Sequence, residues 1–99
     1  MAERDIRADG LAGAVTIGYQ VAARLGRWSL TLAASAPRAY VLEAEAVSVD
    51  PYWIAEEPLA LALECGSDRW VWDGVAVEAG GGHLSATLHG IPAIEKRAV

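Results

Sequence analysis

Two carboxylates, Glu43 and Glu45, and two histidines, His83 and His89, are the side chains of this chain best suited to move protons or hold a metal. Alternate residues of a strand share a face, so Glu43 and Glu45 stand about 7 Å apart on one side, a spacing close to that of the paired carboxyls of glycoside hydrolysis. Such chemistry needs a sugar-sized cleft, which a 99-residue chain rarely builds around its own core. An acidic strand face that discourages unwanted pairing fits the pair better. His83, Ser85, Thr87 and His89 also share one face, and it is polar. The two histidines fall about 20 Å apart on a regular strand, too far to ligate one ion. A solvated face without a metal is expected.

Other chemical signatures are missing. No serine sits in a nucleophile elbow, no glycine run has phosphate-loop or dinucleotide spacing, and neither CxxC nor HExxH occurs. Gly80-Gly81-Gly82 lies between two strand patterns and lacks the helix and lysine that phosphate binding uses, so it reads as a turn. Cys65 is the only cysteine and continues the phase of Leu59, Leu61 and Leu63, which predicts a reduced, buried thiol and no internal disulfide. A non-enzymatic protein with no cofactor is expected.

The elements that position these residues follow a period of two. Val15, Ile17, Tyr19 and Val21, then Trp28, Leu30 and Leu32, then Leu59, Leu61 and Leu63, then Leu84, Ala86 and Leu88 each place an apolar row on one strand face. A first strand is expected over residues 14–23, a turn at Arg24-Leu25-Gly26-Arg27, and a second strand over 28–34. The third, over 39–49, swaps its bulky apolar residues from one face to the other, which predicts a bulge or a move between sheets. Strands over 59–65 and 83–89 are expected, and between them one that begins at Arg69 and bulges at Asp73-Gly74, because one extra residue restores a shared face to Trp70, Trp72, Val75 and Val77. The fold class is therefore all-β, an antiparallel, meander-rich sandwich or small barrel of about six to seven strands. Residues 1–12 read as an N-terminal arm or edge strand, 13–90 as a single β domain, and 91–99 as a C-terminal tail carrying at most one short strand.

Charge narrows the partner. A net charge of −5 opposes sequence-independent binding of nucleic acid, including base stacking by an OB-fold, because both depend on a basic footprint. Residues 1–42 hold Arg4, Arg7, Arg24, Arg27 and Arg38, whereas 43–68 hold seven carboxylates, among them Glu43, Glu45, Glu56 and Glu57, and no basic residue. Both stretches are either solvated faces or complementary surfaces that meet in an assembly. No apolar stretch approaches the roughly 20 residues of a membrane-spanning helix and the first residues do not form a signal peptide, so a soluble protein made in the cytosol is expected.

Aromatic residues offer the remaining candidates. Trp70 and Trp72 share a strand face with Arg69 at their margin, and they either fill the core in place of the absent phenylalanines or anchor a partner. Pro51-Tyr52-Trp53 sits where Pro51 has no amide to give a ladder, which predicts a turn that carries two aromatics and is, among the loops, the one expected to make a specific contact. A carbohydrate-binding module would instead need exposed tryptophans on a flat face.

Gly18-Tyr19-Gln20, Ser48-Val49-Asp50-Pro51-Tyr52-Trp53-Ile54, Trp70-Val71-Trp72-Asp73-Gly74 and Leu88-His89-Gly90-Ile91-Pro92 together resemble small β-rich accessory proteins of tailed bacteriophages. The resemblance covers most of the chain as a style rather than a signature. It implies a place in the virion, at capsid surfaces, head-to-tail joints or tail tips, in repeated copies and without catalytic residues. The expected function is thus structural: binding protein subunits in a symmetric assembly through a strand edge, the terminal arms and the Pro51-Tyr52-Trp53 loop. The alternative is a small acidic inhibitor of a nucleic-acid-binding complex, with Glu43, Glu45, Glu56 and Glu57 mimicking phosphate charge.

Overall fold

The computed structural model describes residues 7–32 and 39–96. Among these described residues eight strands follow in chain order: β1 Arg7–Gly10, β2 Ala12–Ile17, β3 Gln20–Leu32, β4 Ala39–Val49, β5 Leu59–Cys65, β6 Asp68–Gly80, β7 His83–His89 and β8 Ala93–Lys96, with a 3-10 turn at Trp53–Ala55. All pairings are antiparallel. β2, β3, β4, β7, β6 and β5 pair in that order, and β5 returns to β2, so six strands close a barrel. β1 flanks β3 and β8 flanks β6, making the protein an all-β small barrel with two extra strands.

Closure follows from the alternation of side chains. Val15, Trp28, Leu30, Leu42, Leu61, Leu63, Leu84 and Leu88 point inward from five different strands and are almost wholly buried, and Trp72 adds the sixth strand, β6. No buried polar or charged residue occurs among the described residues. The Trp28 indole donates to the Ala12 carbonyl at 2.9 Å and the Trp72 indole to the Gly90 carbonyl at 3.2 Å, which lets both large rings enter the interior without an orphaned N–H.

The first hairpin differs from the sequence reading. Its turn is Gly18-Tyr19, with Ile17 opposite Gln20, and β3 runs unbroken through Arg24-Leu25-Gly26-Arg27. Gly18 has φ +56°, which an L side chain rarely adopts, so glycine suits the tight reversal. Gly26 belongs to a bulge: against β4, Leu25 pairs with Ala46 and Trp28 with Ala44, leaving one extra residue on β3 between the two inward side chains. A second bulge answers it on β4, where Ser48 and Ala46 face successive residues of β3 and Val47 is left over. The bulge expected on β4 is thus present, at Val47 rather than near Glu43, and beyond it the inward phase passes to Val49, opposite the buried Ala23. Leu42 and Ala44 stay buried, Val47 remains 68% exposed, and the bulk at that level comes from Trp28 and Leu25 across the ladder.

On β6 the anticipated bulge is present. Leu59 pairs with Val75 and Ala60 with Asp73, so Gly74, at φ +64°, is the extra residue that keeps the tryptophans and valines on one face. β4 and β5 stand three places apart in the ring, and their connection packs Trp53 and Ile54 against the core. No helix among the described residues is long and apolar enough to cross a membrane.

Candidate functional site

Glu43 and Glu45 project outward from β4, as their exposed, alternating pattern requires. Across the ladder Glu45 faces His83 and Glu43 faces Ser85, and the His83 Nε2 meets the Glu43 carboxylate on the diagonal. These side chains, with Arg27 and Ser29 of β3 and Asp9, Gly10 and Leu11 at the bend between β1 and β2, line an open groove of about 690 Å³. The basic and acidic stretches of the chain thus meet within it, where β3 runs beside β4. Glu43 is engaged by a histidine and the groove is open, an arrangement unlike a carboxylate pair enclosed about a sugar. Among the described residues no group of three histidine, cysteine, aspartate or glutamate side chains is placed to hold a metal.

The aromatic candidates divide. Trp72 is 4% exposed and packs on Tyr40 at 5.9 Å and edge-on to Trp70 at 6.4 Å, so it is core and offers a partner nothing. Trp70 is half-buried between Leu63 of β5 and Ile94 of β8, and its indole N–H is buried with no acceptor among the described residues. Arg69 does not border these rings. Adjacent residues of a strand point to opposite faces, and Arg69 lies outward, 3.9 Å from Glu95 of β8.

In the loop after β4, the Asp50 carboxylate accepts from the Tyr52 amide at 2.9 Å and the Trp53 amide at 3.2 Å, fixing the turn. Trp53 is directed to the core, and Tyr52, 64% exposed and edge-on to it at 4.9 Å, faces solvent with Pro51. Glu56 and Glu57 are exposed beyond the turn and do not line the groove. With Trp28 and Trp72 buried and Trp53 and Trp70 half-buried, the chain has no flat face of exposed tryptophans. Cys65 is a half-buried free thiol packed against the core rather than a fully buried one.

The sequence predicts a terminal edge strand and a short extra strand, but not what they expose. Among the described residues each barrel strand has a neighbour on both sides, whereas β1 pairs only with β3 and β8 only with β6. Beside these two edges stand Leu11, Ile91 and Ile94, with 75%, 74% and 57% of their surface exposed. The available signal was an apolar residue in each terminal stretch with no partner in its own local pattern. The chain matches no family model, and comparison with curated proteins and with solved structures finds no match.

Proposed function

We propose that this chain is a non-enzymatic assembly protein that binds other protein subunits through the free edges of β1 and β8. The observation that carries the reading is the coincidence of two strands that, among the described residues, are paired on one side only with the exposed Leu11, Ile91 and Ile94. A free edge presents a row of amides and carbonyls that template another strand, and adjoining apolar side chains supply the burial that makes such pairing specific. Tyr52 is an additional anchor at the loop after β4. Protein is the partner rather than nucleic acid, because the groove beside β3 and β4 carries Asp9, Glu43 and Glu45 against Arg27 and His83. A position in a tailed-phage virion, in repeated copies, is the finer form of this proposal and rests on the sequence resemblance.

A second reading, the acidic inhibitor of a nucleic-acid-binding complex, is favoured by the groove alone. Its charge contacts would weaken steeply with salt, whereas strand pairing and apolar burial would persist. The test is size fractionation of the native chain from the cells that make it, at low and at moderate salt. Migration in a salt-resistant particle far above its 10.4 kDa supports the assembly role; migration as a lone chain under both conditions overturns it.

A further inference from the structure

Building on the subunit-binding reading, we infer that the partner at these edges is a second copy of this chain, joined head to tail, with β1 of one copy antiparallel to β8 of the next.

Topology makes the two edges mutually accessible. β3 and β6 stand three places apart in the six-strand ring and, with antiparallel neighbours throughout, run in opposite directions. β1 pairs with the C-terminal half of β3 and β8 with the N-terminal half of β6, so both extra strands lie toward the same end of the barrel. Each is antiparallel to its neighbour, hence β1 and β8 also run oppositely. Two copies standing the same way up therefore bring antiparallel edges together, which is a heterologous contact that closes into a ring or extends as a filament.

Side-chain chemistry selects the register. With Ala8 opposite Ile94, Arg7 falls opposite Glu95, Gly10 opposite Pro92 and Leu11 opposite Ile91. That single alignment covers three of the four most exposed aliphatic side chains among the described residues and pairs opposite charges. Ala8 packs toward its own core and Ile94 lies on the Trp70 side of β8, so the apolar faces of the two sheets become continuous. Pro92, which has no amide to donate, meets the most permissive residue of the other strand. Shifting by one residue sets Arg7 opposite Lys96 or opposite Ile94, and shifting by two brings Asp9 opposite Glu95 in one direction. Pairing β1 with another β1 would leave Ile91 and Ile94 exposed.

The register is testable by cross-linking in a Cys65→Ser background. Ala8→Cys and Ile94→Cys proteins, purified separately and mixed with oxidised glutathione, are expected to form a disulfide-linked dimer of one chain of each kind, with neither protein dimerising alone. Ala8→Cys mixed with Ala93→Cys, one residue out of register, is expected to cross-link much less. Glu95→Arg is expected to dissociate the assembly in light scattering and Arg7→Glu in the same chain to restore it, a rescue that loss of the Arg69 contact alone would not permit. Dimerisation of Ala8→Cys by itself would overturn the head-to-tail pairing. So would wild-type protein that scatters as a single chain at every concentration; if the native chain still fractionates with a particle, the broader subunit-binding reading stands and only self-pairing fails.

Discussion

Gly10 of β1 lies directly against the indole of Trp28, its ladder partner on β3: a Cβ at position 10 would fall 2.6 Å from both Cε2 and Cζ2 of the ring and 2.7 Å from the Glu64 carbonyl oxygen. The ring has no room to retreat, being 1% exposed and tied through its N–H to the Ala12 carbonyl. Glycine at this position is therefore what seats the edge strand on the core.

Gly10→Ala is expected to cost about 1–3 kcal/mol, the usual penalty of forcing a methyl group into packed surroundings. The denaturant midpoint measures the loss. Faster amide exchange confined to Arg7–Gly10 would identify displacement of β1 as its origin, and an unchanged midpoint would refute the contact.

Tryptophan-to-phenylalanine substitutions should separate by hydrogen bonding. Trp28→Phe leaves the Ala12 carbonyl without its donor and is expected to lose about 1–3 kcal/mol, whereas Trp70→Phe removes an N–H with no acceptor among the described residues and is expected to lose less. Thermal unfolding of the two variants side by side gives the comparison. Equal losses would indicate that ring volume alone matters.

The Glu43 and His83 pair is about half exposed on both sides, so a double-mutant cycle with Glu43→Gln and His83→Gln should give a coupling of roughly 0–1 kcal/mol. On the same strand, Leu42→Ala empties a fully buried site and is expected to cost about 2–5 kcal/mol. A coupling as large as the leucine loss would mean the groove is far drier than its exposure implies.

Gly74 and Gly80 make a controlled contrast on β6. Neither has an atom within 4 Å of an added Cβ, but Gly74 is held at φ +64°. Gly74→Ala should therefore cost about 1–2 kcal/mol through backbone strain. Gly80→Ala should be neutral or add about 0.4–1 kcal/mol by restricting the unfolded chain. Chemical denaturation of both variants reads the difference.

Much of this architecture is legible locally. The bounds of β4, β5 and β7 coincide with the alternating runs at 39–49, 59–65 and 83–89, and the bulge at Gly74 is written in the change of phase between Trp72 and Val75. The stretch Arg24-Leu25-Gly26-Arg27 misled because a glycine among polar residues reads equally as a reversal or as a bulge. Only the ladder partners on β2 and β4 decide that it is part of a continuous strand. Likewise Trp70 and Trp72 share a phase, yet one is half-buried beside β8 and the other closed over by Tyr40.

The sequence by itself determined the alternating runs that become β4, β5 and β7 and which side of each is apolar, because alternation is a property of the extended backbone and needs no neighbour. Tertiary structure alone decided that the six central strands close on one another while β1 and β8, among the described residues, pair on one side only. Which edge remains free depends on pairings between residues far apart in the chain, as when Ala12 meets Glu64 or Val71 meets Ala93, and no local pattern encodes them.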